Sequence, residues 1–261
     1  MRIRVLGCHG SDLVLDGPNQ HQCRTSGFLI NGTLMVDAGT IAAALRSDEI
    51  RRIRHVLISH LHFDHIKGLP TLADSLADSV QEPISLLGTA HVLNGLADHV
   101  FNDQVYPDFL KLPDPAKPIF RRAVVEPGRE VQVGEFRVTP IPVNHLVPTV
   151  GFLVRDGHSS VLYSGDTYVT GDIWARASRE PTLKAALIET SFPDEMAKLA
   201  EVSRHLTPSL FGEEFKKIGK PDLPVYVYHV KPKFRTVIER QLNKLGIKNL
   251  TVLEEGRDIE L

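Results

Sequence analysis

The sequence predicts a layered α/β protein. Three observations carry that expectation: short apolar runs stop abruptly at polar residues, helix-period stretches fall between them, and several runs end on a histidine or a carboxylate. At 261 residues the chain has room for one large α/β unit or two small ones.

The elements are justified in chain order. "MRIRVLG" at residues 1–7 alternates as a strand does, and "GFLING" and "TLMVDAG" read as a hairpin turning at Asn31-Gly32. A helix is expected over 40–50, a strand over 55–60 ("HVLISH"), a helix over 71–80, a strand over 83–88 and a helix over 89–101. Residues 102–122 are proline-rich and aperiodic and read as a long surface excursion. A strand over 136–145 ("FRVTPIPVNH") precedes a second hairpin over 149–166, with Asp156-Gly157 at its turn. "KAALIETS" (184–191) and "LPVYVYHV" (223–230) complete the strands, with helices over 207–219 and 234–246. In the last helix Phe234, Val237, Ile238, Leu242 and Leu245 form one apolar stripe, and Gly246 stands where a C-terminal cap glycine would. The segments "LMVDAGTIAAAL" and "VLYSGDTYVTGDIWA" echo each other as strand, acidic-glycine turn and helix, an arrangement compatible with two similar half-sheets.

Composition narrows the setting. Hydrophobic residues make up 42% and charged residues 24%, as in an ordinary globular protein, and a net charge of -2 gives no global field favouring nucleic acid or an anionic membrane. The basic groups at Arg51, Arg52 and Arg54 and at Lys231, Lys233 and Arg235 read as solvated surface. Cys8 and Cys23 form no CxxC pair, which argues against a disulfide scaffold and suits a reducing cytosol. The opening residues lack a signal-peptide pattern, and no apolar run approaches the ~18 residues of a membrane span. A cytoplasmic protein with no membrane partner is expected.

The functional signal lies where strands end. "HVLIS" runs into His60, "TPIPV" into Asn144-His145, "SVLYSG" into Asp166, "AALI" into Glu189 and "PVYVY" into His229. In layered α/β folds functional groups gather outside the carboxyl ends of strands. The stretch "SHLHFDHIKG" is the densest case. His60 and His62, two apart in an extended loop, can share one ion, while Asp64 and His65 at a helix start can turn to a second. Imidazole and carboxylate suit borderline divalent ions, and His145, His229 and Asp166 supply the further ligands such a pair needs. The isolated His9, His21, His55, His91, His99 and His158 read as packed or hydrogen-bonded residues.

On these residues the chain resembles the metallo-β-lactamase fold superfamily, from "VLGCHG" through "VDAG" to "HVKP". The resemblance implies a four-layer αβ/βα sandwich, formed as a single domain over 1–261, with the site along one edge between the sheets. It implies that His60, His62 and His145 hold one metal, that Asp64, His65 and His229 hold the other, and that Asp166 bridges them. Asp37 matches a position that supports the ligand loop. The ions expected are two divalent metals, zinc first, with manganese and iron as the other candidates.

The context of His145, "PVNHLVPTVGFLV", lacks the "PGHTxG" of the lactamase and thioesterase branches and resembles the phosphodiesterase branch. "ETSFPDEMAKLAEVSRHLTP" (189–208) ends in a His-x-Thr whose histidine, His205, matches one that in the tRNase Z branch contacts the scissile phosphate. Its wording is most similar to class II cyclic-nucleotide phosphodiesterases. The implied reaction is hydrolysis of a 3′,5′-cyclic nucleotide, cyclic AMP foremost, to the 5′-monophosphate by a hydroxide between the metals. His205, Asp166 and Asp64 are then the catalytic residues, with Glu189 a candidate to orient His205. Phe63, Tyr168, Phe192 and Phe234 are candidates to stack on a base, against the plainer reading that they are core. The alternatives are a tRNA 3′-end endonuclease, a small cyclic phosphate hydrolase, or a non-catalytic scaffold or sensor of the same fold. The expected partner is a small-molecule substrate, not nucleic acid, and related enzymes suggest a homodimer.

Overall fold

The computed structural model describes residues 1–14, 22–78 and 82–261. Two seven-stranded sheets face each other. The first runs Phe120–Val124, Ile84–Gly88, His55–Leu57, Leu34–Val36, Gly27–Ile30, Arg2–Gly7 and Asp258–Glu260 across its width. The second runs Val131–Val133, Phe136–Pro142, Val150–Arg155, Ser160–Tyr163, Leu183–Glu189, Val225–Tyr228 and Leu250–Val252.

Alternation of side chains along the strands divides the core into three layers. Leu34, Val36, Leu57, Phe152, Val154 and Val161 point between the sheets and join one cluster drawn from both. Met35, Val56 and Ile58 point to the other face of the first sheet, where the helices Gly68–Asp74 and Ala90–His99 cover them. Leu153, Leu162 and Ile188 do the same in the second sheet, beneath Asp172–Ser178, Pro208–Lys216 and Arg235–Asn243. The result is the helix–sheet–sheet–helix sandwich.

Each sheet changes from antiparallel to parallel pairing at one strand. Leu34–Val36 pairs antiparallel with Gly27–Ile30 and parallel with His55–Leu57. Ser160–Tyr163 pairs antiparallel with Val150–Arg155 and parallel with Leu183–Glu189. These two strands carry the echo in the sequence, and they deliver Asp37 and Asp166 just past their carboxyl ends. Ligand sites of open α/β sheets form at such switch points.

Several expected elements differ in extent. The helix expected over 40–50 is a 3₁₀ turn at Ala42–Ala44 and a separate turn at Ser47–Ile50, because Leu45 is extended and the Glu49 carboxylate accepts the Arg46 N–H at 3.0 Å, starting afresh. The helix expected over 71–80 begins at Gly68 and ends at Asp74; Pro70 sits in its first turn, where no N–H is needed, and residues 79–80 lie outside the described residues. The 102–122 excursion is not wholly at the surface. Phe109, Ile119 and Phe120 are buried, and Phe120–Val124 is the edge strand paired parallel with Ile84–Gly88. The helix Asp172–Ser178 falls where the second echo segment places one, while the helix Ala197–Ser203 and the strands at 131–133, 250–252 and 258–260 are additions to the expected set. Asn31-Gly32 turns the first hairpin as expected, with φ of 46° and 73°. Among the described residues no helix is long and apolar enough to cross a membrane.

Candidate metal centre

The strand ends bring together all seven of the expected side chains. His60 follows the His55–Leu57 strand, and His62 precedes the single helical turn Phe63–Ile66 that presents Asp64 and His65. His145 follows Phe136–Pro142, Asp166 follows Ser160–Tyr163, and His229 follows Val225–Tyr228. Two groups result, His60, His62, His145 and Asp166 in one and Asp64, His65 and His229 in the other, each with ligand atoms within 4.8 Å of one another. One Asp166 oxygen, Oδ2, lies 3.3 Å from the Nε2 atoms of both His65 and His229 and 3.8 Å from that of His60. It therefore stands between the groups.

The histidine tautomers are set from outside the site. His65 Nδ1 donates to Asp37 Oδ2 at 2.7 Å. His60 Nδ1 donates at 2.9 Å to the Ser59 hydroxyl, which itself donates to Asp37 at 2.8 Å. His229 Nδ1 donates to the Ser191 hydroxyl at 2.8 Å, and His145 Nδ1 to the Arg204 carbonyl at 3.0 Å. With each Nδ1–H committed, the four Nε2 atoms turn inward. His62 instead turns Nδ1 inward, 3.1 Å from His145 Nε2. Outward N–H groups held by a carboxylate, hydroxyl or carbonyl are the usual support of metal-binding imidazoles.

Asp37 is the hub of this support. It is fully buried, takes the Ser59 N–H as well at 2.8 Å, and its Oδ2 also accepts the Tyr163 hydroxyl at 2.6 Å. Its φ of +54° lies in the left-handed region, as does the +65° of His229. Such backbone costs of order 1–3 kcal/mol per residue and persists where surrounding bonds over-determine it. Gly39 lets this turn close: a Cβ there would collide with the Asp64 carbonyl.

A divalent ion fits this set. His60 Nε2 and Asp166 Oδ1 are buried with no hydrogen-bond partner among the described residues, a costly state unless something else completes them. Charge balance points the same way. Burial, then the neighbouring His65, holds His60 well below its ordinary range, and burial lowers His62 and His145 too, so these rings are neutral and able to ligate. Burial opposes charge on Asp166, yet His229 and His65 pull its carboxyl well below the usual range. Burial likewise opposes charge on Asp64, and the hydrogen bond from His229 with the charge of His65 overcomes it. His65 itself is pulled up against its burial by Asp166 and Asp37, so negative charge converges on it from two carboxylates.

His205 lies beside both groups, its ring stacked 5.2 Å from that of His229 and tilted at 5.0 Å from that of His145. Its Nδ1 meets Glu189 Oε1 at 2.8 Å. Burial lowers the His205 ring, while burial and then Asp166 push Glu189 up to about 8. The pair thus keeps one proton in the Nδ1–Oε1 bond and a second on Nε2, leaving Nε2–H a donor at neutral pH. Glu189 is held by the Thr167 N–H at 3.1 Å and the Ser191 hydroxyl at 3.2 Å. His205 also falls with Asp166 and His229 in a group that could hold an ion.

The centre opens on one side. His60, His65, Asp166 and His229 are buried, whereas His62, Asp64 and His145 are partly exposed. Phe63 (70% exposed) and Leu146 (60% exposed) stand at that mouth, and Arg204 lies over the Tyr168 ring at 5.7 Å. Phe192 packs 5.9 Å from His205 and 6.3 Å from Phe234. Ser59, Ser191, Tyr163 and the Arg204 carbonyl escaped the sequence reading. The two serines stand directly before His60 and two after Glu189, but hydroxyls are too common to single out. Of the isolated histidines, His9 is buried against Glu255 with Arg235 facing its other nitrogen at 3.4 Å, a setting hostile to a cation, and His21 lies outside the described residues.

The family described as "Beta-lactamase superfamily domain" matches residues 29–227, and the chain belongs to that superfamily. A probable 3′,5′-cyclic-nucleotide phosphodiesterase of Yersinia pestis is 28% identical over 79% of this chain; the match spans 64% of that relative's length. Unliganded yeast PDE1 superposes with a TM-score of 0.82 at 18% identity, over 100% of this chain and 99% of that one. The short form of human tRNase Z does so with 0.71 at 19% identity, over 100% and 99%. These two likenesses define the fold.

Proposed function

We propose that the chain is a metal-dependent phosphodiesterase that hydrolyses a 3′,5′-cyclic nucleotide, cyclic AMP foremost, at a centre for two divalent ions. The observation that carries the reading is the pair of ligand groups sharing Asp166 with the His205–Glu189 dyad alongside. The Yersinia relative's name supports the substrate class. The ions, when bound, supply a water made acidic enough to ionise near neutral pH and neutralise charge on phosphoryl oxygens.

The chain's own residues do the rest. Asp166 fixes the separation of the two ligand groups, and Asp37 with Ser59 holds His60 and His65 in the orientation that faces their Nε2 atoms inward. His205 presents Nε2–H toward the leaving 3′ oxygen, and as that N–H is given up the proton shared with Glu189 passes to Nδ1, so the ring stays neutral and Glu189 takes the charge. Asp64, partly exposed at the mouth, is placed to meet incoming water. Phe63 and Leu146 offer apolar surface at the mouth for a base.

The purified protein, loaded with zinc or manganese, is to be offered cyclic AMP, cyclic GMP, bis(p-nitrophenyl) phosphate and precursor tRNA. Conversion of a cyclic nucleotide to its 5′-monophosphate is expected. Cleavage of precursor tRNA alone would replace this reading with that of a tRNA 3′-end endonuclease.

A further inference from the structure

We infer that Lys231 is an anion-binding residue of the metal centre, holding a non-bridging phosphoryl oxygen of the substrate or the phosphate of the product. The inference deepens the proposed function, on which it rests for the identity of the anion.

Lys231 follows His229 by two residues, and the left-handed backbone of His229 turns the chain so that the Lys231 N–H meets the Ser191 carbonyl at 3.4 Å. Ser191 is the residue whose hydroxyl holds His229 Nδ1. The lysine stem runs beside the His229 ring. A Cβ at Gly10 would stand 3.0 Å from Lys231 Cδ, 3.1 Å from His229 Cε1 and 2.7 Å from the His229 carbonyl oxygen, so the absent side chain at Gly10 makes the space both occupy. The ammonium donates to the Gly10 carbonyl, a neutral acceptor.

That leaves its charge uncompensated. Among the described residues no carboxylate lies within ion-pair distance of Lys231, whereas Lys67, Lys111, Lys216 and Lys217 pair with Asp12, Asp108, Glu213 and Glu214. Its neighbours in the sequence are otherwise engaged: Arg235 pairs with Glu239 and Glu254, and Lys233 lies over the Phe234 ring. Lys231 is half-buried, with its stem beside the His229 ring on which His205 stacks at 5.2 Å. An unpaired ammonium beside a site for divalent cations is repelled by them, and the repulsion becomes attraction once an anion lies between. An ammonium has three N–H donors, and one on Gly10 leaves two for phosphate oxygens.

The test is calorimetric binding of inorganic phosphate to the metal-loaded protein, for the wild type, Lys231→Met and Lys231→Arg, with metal content and Tm measured on each. Lys231→Met keeps the stem and loses the charge. It is expected to weaken phosphate binding about tenfold or more with metal content and Tm unchanged, and Lys231→Arg to recover most of the loss. Unchanged phosphate affinity in Lys231→Met, no binding by the wild type, or a loss that follows metal content or Tm would overturn the assignment. Phosphate binding is read without turnover. Absent cyclic-nucleotide hydrolysis would therefore count against the proposed function alone, with the variants still deciding Lys231.

Discussion

Asp37 and His205 show what single residues contribute. Asp37 accepts four hydrogen bonds at 2.6–2.8 Å and reaches two candidate ligand histidines through them, His65 directly and His60 through Ser59. His205 is oriented by Glu189 and presents its remaining N–H to the site. Replacing His205 with Ala is expected to lower kcat by about two orders of magnitude or more, with the metal content of the purified protein unchanged. A fall in bound metal would make His205 a ligand and remove it from the role of proton donor. Four of the ligand candidates, His60, His145, Asp166 and His229, were legible because each is a good ligand type past the end of an apolar run, and His62, Asp64 and His65 because they crowd beside His60. Ser59, Ser191 and the Arg204 carbonyl were not, since hydroxyls are frequent and a backbone oxygen leaves no mark on the sequence. Lys231 shows the converse. A basic cluster read as solvated surface contains one member, Lys231, whose stem shares the space left by Gly10 with the His229 ring.

At the scale of elements, legibility followed the strength of the pattern. The helices Ala90–His99, Pro208–Lys216 and Arg235–Asn243 fall inside their expected spans because each carries a helix-period apolar stripe. The edge strand Phe120–Val124 was hidden because its exposed arginines and preceding prolines mask an otherwise ordinary pairing. Arg155, at the end of its strand, is tied to Glu180 beyond the Asp172–Ser178 helix by bonds of 2.5 and 3.0 Å. Burial works against the Glu180 charge, but the Arg155 and Thr182 hydrogen bonds bring its carboxyl from the ordinary 4.5 down to about 2. A lowered folded-state value means that the stabilisation is present above about 4.5 and is lost as pH falls from there through about 2. Glu180→Gln is therefore expected to destabilise the metal-free protein by roughly 1–3 kcal/mol at pH 7. Urea denaturation should show the difference from wild type shrinking between pH 5 and pH 3. An equal difference at both would mean that the carboxylate charge contributes nothing.

For the molecule as a whole, the two sheets repeat one device. Each changes from antiparallel to parallel at a strand that ends on an aspartate, Asp37 in one and Asp166 in the other. One supports His60 and His65 and the other stands between the two candidate ligand groups, so the place of the candidate site follows from how the sheets are wound. The sequence echo hinted at this repeat, but which faces meet is decided by contacts such as Phe28 against Tyr163 and Tyr228, distant in the chain. The central claim is that this edge holds two divalent ions and hydrolyses a phosphodiester with them. Metal-free protein titrated with zinc or manganese, with 5′-AMP formation from cyclic AMP followed against ions bound per chain, tests it most directly. The account predicts that turnover appears as the second ion binds and disappears on chelation. Turnover that persists undiminished after complete removal of metal would contradict it.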